Sequence, residues 1–155
     1  MTVPGRYFRA GAGAVIANSD GLVLVCERAD VPGAWQLPQG GLERDEEPLE
    51  GVLREIEEET GITRDGLELI GHYPEPLVYE LPVEARSEKT GMGQVQYWFL
   101  FRYRGSDPDL RRSSAGEFRR SAWQSFEQVL ARVVDFRRPV YRQLYEAFGA
   151  HLRRA

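Results

Sequence analysis

The sequence predicts an α/β protein in which a mixed sheet packs between helices. Three observations predict it. Short extended runs broken by turn residues recur along the chain, one amphipathic helix with legible ends interrupts them at Pro48, and helical apolar spacing returns from Phe126 onward. With 155 residues and 42% hydrophobic content, the chain is expected to form one core and a single domain over 1–155.

The elements follow in order. Ala12 to Ala17 and Leu22 to Glu27 are apolar, strand-like runs that flank Asn18-Ser19-Asp20-Gly21, a hairpin signal. Cys26, the only cysteine, sits in the second run and reads as a small buried hydrophobe; no internal disulfide is possible. Pro48 suits a first helical position, and Gly61 stands where the left-handed residue closing a helix belongs. Between them, at about 100° per residue, Leu49, Val52, Leu53 and Ile56 form one apolar stripe. After this helix Leu67 to Ile70, Leu77 to Tyr79 and Gln94 to Tyr103 read as extended, with Glu80 to Gly93 a polar loop of the kind that lines sites. Phe118 to Trp123 reads as a short extended piece, Phe126 to Val133 has helical spacing, and Pro139 opens a last helix to about Leu152. Val140, Leu144 and Phe148 share one face of that helix.

Function is signalled by carboxylates. Glu55, Glu58 and Glu59 stand at i, i+3 and i+4 and share a helix face next to the apolar stripe, while Glu50 and Glu57 fall on the solvent side. Like charges at this spacing cost a few tenths of a kcal/mol each, and Gly51 costs about 1 kcal/mol relative to Ala. Because Gly51 lies on the glutamate face, its missing Cβ is expected to leave room for a bound group. Oxygen-rich clusters of this kind suit hard divalent cations, the usual partners of phosphates. A merely solvated helix face is the alternative for the triplet taken alone.

The flanking pattern decides against that alternative. Gly40, five residues, Glu46, seven residues, then Arg54-Glu55-Ile56-Glu57-Glu58-Glu59-Thr60-Gly61-Ile62 matches the fixed positions of the Nudix box, and the stretch 40–62 therefore resembles the Nudix hydrolases. The resemblance implies a Nudix-type α/β/α sandwich with a mixed central sheet and a metal-dependent pyrophosphohydrolase. Glu55, Glu58 and Glu59 become the implied Mg²⁺ or Mn²⁺ ligands, with Gly40 at the head of the box placed among them. Glu59 is the expected combined ligand and base, and Arg54 with Glu46 an ion pair holding the loop on the helix. Where many members have glycine, this chain has Asp45, which tolerates left-handed backbone better than most residues.

The resemblance extends from about Phe8 to Phe148. Asp30 to Gly41, Gly93 to Leu100, Glu117-Phe118 and Val134 to Tyr141 are similar to one branch of the family, the RNA pyrophosphohydrolases and dinucleoside polyphosphate hydrolases. It implies Glu117 as a further metal carboxylate, Phe136 as the aromatic on which a base stacks, Arg9 and Arg28 as arginines meeting phosphates or covering the base, and Gln94 and Gln96 near the phosphates. For these residues the alternatives are a surface glutamate, a core phenylalanine, solvated strand-end arginines and a polar outward face. Departures surround the substrate rather than the metals. Val95 and Tyr97 stand where lysine is common, with Lys89, Arg102 or Arg104 as possible compensation; Ser121 replaces a tryptophan; Ala10-Gly11 replaces Pro-Asn.

Charge agrees with a polyanionic substrate. The net charge is −4, yet residues 40–62 carry nine acids against two arginines, and residues 111–155 carry ten arginines against four acids. Arginines that only decorate exposed helix faces would give the same count. No apolar run approaches the roughly 18 residues of a membrane span, and Met1-Thr2-Val3-Pro4-Gly5-Arg6 lacks a signal-peptide layout, so a cytoplasmic location is the default expectation. No obligate protein partner and no membrane are expected. The reaction expected is cleavage of diadenosine tetraphosphate to ATP and AMP, or removal of pyrophosphate from 5′-triphosphorylated RNA. A broader hydrolase of dNTPs or nucleotide sugars and a non-catalytic nucleotide sensor are the competing readings; the sensor would lack one or more of Glu55, Glu58 and Glu59, and all three are present.

Overall fold

A computed structural model describes residues 6–105 and 118–152. Eight strands build one mixed sheet: β1 (Phe8–Ala17), β2 (Val23–Arg28), β3 (Trp35–Gln36), β4 (Gln39–Gly41), β5 (Leu67–His72), β6 (Leu77–Glu80), β7 (Gly93–Tyr103) and β8 (Phe118–Gln124). Its path runs β3-β2-β1-β7-β5, with β4 on β1, β6 on β7 and β8 on β2. Among the described residues only β1 and β7 pair in parallel, in register from Phe8↔Gly93 to Ala17↔Arg102.

Helices cover both faces, as the sandwich requires. α1 (Pro48–Thr60) presents Val52 and Ile56, both fully buried, to a cluster with Ala12, Ala14, Ile16, Leu24 and Phe101. On the other face α2 (Phe126–Arg132) and α3 (Arg138–Phe148) pack Phe126, Val129, Val140, Tyr141, Leu144 and Phe148 against Val15, Val23, Val25, Trp98 and Leu100. Alternation along β1 explains the division, since successive side chains point to opposite faces.

The helix boundaries agree closely with the sequence, whereas β1 begins at Phe8 rather than Ala12, β5 runs to His72 rather than Ile70, and β3 and β4 were not expected. α1 spans the expected residues, starts at Pro48 and ends on Gly61 in the left-handed region at φ 82°. α2 begins with a reciprocal capping box between Ser125 and Gln128. α3 stops at Phe148 and a single 3₁₀ turn, Gly149–His151, completes the expected stretch. Cys26 is fully buried, as expected. The hairpin expectation needs correction. The turn holds, with the Asn18 side chain accepting from the amides of Asp20 and Leu22, but β1 and β2 pair only at Ala17↔Val23 before diverging. The long partner of β1 is β7, and β2 turns instead to β8 from Val23↔Gln124 to Arg28↔Phe118.

Candidate active site

The box loop and helix are fastened by Arg54. Its Nε and Nη2 each donate to a Glu46 carboxylate oxygen at 2.9 Å, Nη2 also reaches the Gly41 carbonyl at 3.0 Å, and Nη1 donates to Glu55 at 2.9 Å and Glu58 at 3.3 Å. Hydrogen bonds to charged groups are worth about 1.5–3 kcal/mol each, so the expected Arg54–Glu46 pair does tie loop to helix. The guanidinium holds Glu46 below the usual carboxylate range, and Glu46 in turn pushes the Arg54 pKa up. Glu46 closes the loop from within as well, accepting from the Glu43 amide at 2.9 Å. Asp45 takes the left-handed conformation there, φ 63°, the one non-glycine to do so among the described residues.

Gly51 serves this loop rather than a ligand. A Cβ at Gly51 would stand 2.3 Å from Leu42 Cδ2 and 3.0 Å from Glu46 Oε1. The space expected to admit a bound group is thus filled by the loop's own side chains. The glycine allows loop and helix to touch.

The three glutamates differ. Glu55 and Glu59 are buried at 9% and 2% exposure, whereas the Glu58 side chain is 46% exposed. Glu55 lies on the backbone of Gly40: a Cβ there would come within 2.3 Å of its Cδ and 2.4 and 2.5 Å of its oxygens. Glu59 reaches inward, where its charge helps burial push up the Tyr141 hydroxyl, to about 12, and the Cys26 thiol. Among the described residues no group of three acids, histidines or cysteines already stands close enough to hold an ion. Glu117 lies outside the described residues. The donors that are present fit a hard divalent cation: all are carboxylate oxygens on one helix face, and one is seated over a glycine so that its oxygens border the cleft.

Beside Glu55 opens a cleft of about 850 Å³; Glu58 and Glu59 are not among the residues that line it. Sheet register builds its wall, because Arg9 on β1 pairs with Gln94 on β7 and Gln94 with Tyr79 on β6, placing three side chains in one row across three strands. All three line the cleft, as do Arg28, Lys89 and Arg137. Glycines let these arms lie flat. A Cβ at Gly41 would meet Arg9 Nη2 at 2.4 Å, and one at Gly11 would meet Gln94 Oε1 at 2.4 Å.

Not every expected substrate residue reaches the cleft. Gln96 is 1% exposed and does not line it; its Nε2 donates to Gln39 Oε1 at 2.5 Å and Gln94 Oε1 at 3.0 Å, orienting two glutamines that do. Phe136 is half-buried against the α2/α3 core, tilted 38° to Tyr79 at 5.4 Å, and the cleft is lined by its neighbours Tyr79 and Arg137. The Arg137 guanidinium sits 5.1 Å from the ring centre of each aromatic, a cation–π contact that fixes its direction. Of the three cations considered as compensation for the missing lysines, Lys89 borders the cleft. Arg102 instead donates to the Asn18 carbonyl at 3.1 Å, and Arg104 pairs with Glu68.

Tyr79, Arg137, Gln36 and Gln39 were not read from the sequence as site residues. Arg137 had a signal, its place directly after Phe136. Tyr79 had only β6 alternation, which marks an inward side chain without saying what it faces.

This fold and this acidic helix beside a cationic cleft define a class: the chain matches the NUDIX domain over residues 7–144 and belongs to the Nudix family, as a hydrolase of pyrophosphate bonds. Within that family it is 33% identical over 162 residues to Nudix hydrolase 26, chloroplastic, of Arabidopsis thaliana, covering 98% of this chain and 74% of that protein. An RNA pyrophosphohydrolase of Zymomonas mobilis is 40% identical over 150 residues, covering 94% of this chain and 97% of that protein. An Ap4A hydrolase of C. elegans has the same fold, with TM-score 0.71 at 23% identity over 92% of this chain and 98% of that one. No helix among the described residues is long and apolar enough to cross a membrane.

Proposed function

We propose that the chain is a metal-dependent pyrophosphohydrolase acting on dinucleoside polyphosphates, diadenosine tetraphosphate giving ATP and AMP, or on the 5′-triphosphate end of RNA. The observation that carries this reading is the cleft itself, in which Glu55 and the box loop meet Arg9, Arg28, Lys89 and Arg137 around one volume large enough for a nucleotide. The relatives named for RNA pyrophosphohydrolase and Ap4A hydrolase activity point the same way.

Each group has a part. Glu55, Glu58 and Glu59, with Gly40 beside them and Glu117 as the further carboxylate, would hold Mg²⁺ or Mn²⁺. Such a cation supplies charge neutralisation at the phosphate oxygens and activation of water. Glu59 takes the proton as water attacks phosphorus, the attacked P–O bond breaks, and the leaving phosphate carries the electron pair. Arg9, Lys89 and Gln94 bind the phosphate chain, while Tyr79 and Arg28 receive the base, with Phe136 packed behind Tyr79 as the further aromatic of that platform.

Chromatography of products from diadenosine tetraphosphate, 5′-triphosphorylated RNA, dGTP and ADP-ribose, with Mg²⁺, Mn²⁺ or chelator, tests the reading. Turnover of the first or second with metal alone is expected; a preference for dGTP or ADP-ribose would establish the broader nucleotide-cleaning reading in its place. Phe136→Ala tests the base platform. Stacking on an aromatic is worth about 1–3 kcal/mol per base, so KM is expected to rise about 5- to 150-fold while the protein stays folded. A collapse of the melting temperature would instead make Phe136 a core residue.

A further inference from the structure

We infer that Glu27 is a positioning residue for substrate binding: its buried carboxylate clips the β2–β3 loop in place and so sets where Arg28 and Asp30 stand at the cleft rim. The inference rests on the proposed function, since the rim matters only if nucleotide binds there. Glu27 is 4% exposed and plays no part in the chemistry proposed above. Its Oε2 accepts from the Gly33 amide at 2.8 Å, and its Oε1 accepts from Arg120 Nε at 2.9 Å.

The neighbours explain why a carboxylate stands there. Glu27 pairs across the sheet with Trp35 on β3 and Arg120 on β8, so the three side chains form one transverse row. The Arg120 guanidinium lies 5.2 Å from the Trp35 ring centre, which leaves its edge free to point at Glu27. One anion thereby joins three strands and the loop.

Ala29 to Gly33 are exposed, so burial does not fix them. Two backbone bonds, Arg28 amide to Ala34 carbonyl at 2.9 Å and Ala34 amide to Val31 carbonyl at 3.0 Å, close the base of the loop. Gly33 is left-handed at φ 87°, the conformation in which its amide turns toward Glu27. On the cleft side Asp30 takes both Nε and Nη2 of Arg28 at 2.9 Å, and Arg28, Ala29 and Asp30 line the cleft. Movement of the loop therefore moves Asp30 and with it the direction of the Arg28 side chain, whose backbone belongs to β2, while α1 and its glutamates stay where Arg54 holds them.

The test separates binding from chemistry. Glu27→Ala is expected to raise KM for diadenosine tetraphosphate about fivefold, the effect of about one lost hydrogen bond, with kcat and the Mg²⁺ activation constant unchanged. Glu27→Gln keeps one oxygen for the Gly33 amide, so it should raise KM less and serves if the alanine variant fails to fold. Gly33→Ala adds a methyl with no atom within 4 Å; it acts through the backbone alone and should raise KM as Glu27→Ala does. Hydrogen exchange at the Gly33 amide, read by NMR without substrate, should quicken in Glu27→Ala and less in Glu27→Gln, which keeps an acceptor. An unchanged KM, a kcat that falls in step with rising KM, or an unaltered Gly33 exchange rate overturns the inference. If the wild-type chain leaves the nucleotide whole, the proposed function falls, and the exchange measurement still decides whether Glu27 fastens the loop.

Discussion

Glu59→Gln is expected to lower kcat about 10²- to 10⁴-fold, the range that general-base catalysis contributes, and to leave the melting temperature unchanged or raised. The substitution keeps shape and removes charge. Glu59 is 2% exposed on the last turn of α1, so its anion already bears a desolvation cost that a neutral amide escapes. A carboxylate kept there despite that cost is what metal binding and proton transfer require. Glu58→Gln should also lose orders of magnitude in turnover, although Glu58 is exposed and already meets Arg54 at 3.3 Å, because the proposed reading makes it a ligand too. Steady-state kinetics with a Mg²⁺ titration, alongside thermal melts, gives both readouts. Near-normal turnover in the two variants together would remove the metal hypothesis.

What could be read from the sequence was local. α1 was legible because Pro48, the apolar stripe and Gly61 each mark a position on one helix, and the box fixed Arg54 opposite Glu46 within a few residues. What escaped was long-range. Neither strand of the parallel pair β1–β7 signals its partner, since alternation reports which face is buried and not what lies alongside. β3 and β4, two and three residues long, are too short to show alternation at all. Gln96 reads as a residue near the phosphates or on a polar outward face, yet it is buried and clear of the cleft, because Gln39, 57 residues earlier, satisfies its amide. Gly51 sat on the glutamate face as expected, but the residues filling its missing Cβ come from a loop whose course only the fold sets.

Gly40→Ala should produce the second large loss, and by a different route. Its new methyl would fall 2.3 Å from Glu55 Cδ, closer than any real contact allows, so either the carboxylate or β4 must move. β4 is held to β1 by the Gly11↔Gly41, Ala12↔Gly40 and Gly13↔Gln39 pairs, whereas Glu55 ends a flexible side chain. The carboxylate is therefore expected to swing away while the sheet stands. Disturbing the support of a ligand typically costs about 10- to 100-fold in metal affinity or activity, so the Mg²⁺ activation constant should rise by that order with little change in melting temperature. The neighbouring glycine supplies the control. At Gly41 a methyl meets the Arg9 guanidinium at 2.4 Å and not an acid, so Gly41→Ala should raise KM for the nucleotide and leave the metal titration as in the wild type. If Gly40→Ala titrates with Mg²⁺ like the unmodified chain, the seat that Gly40 makes for Glu55 has no part in holding the cation, and the ligand set must be drawn again without Glu55.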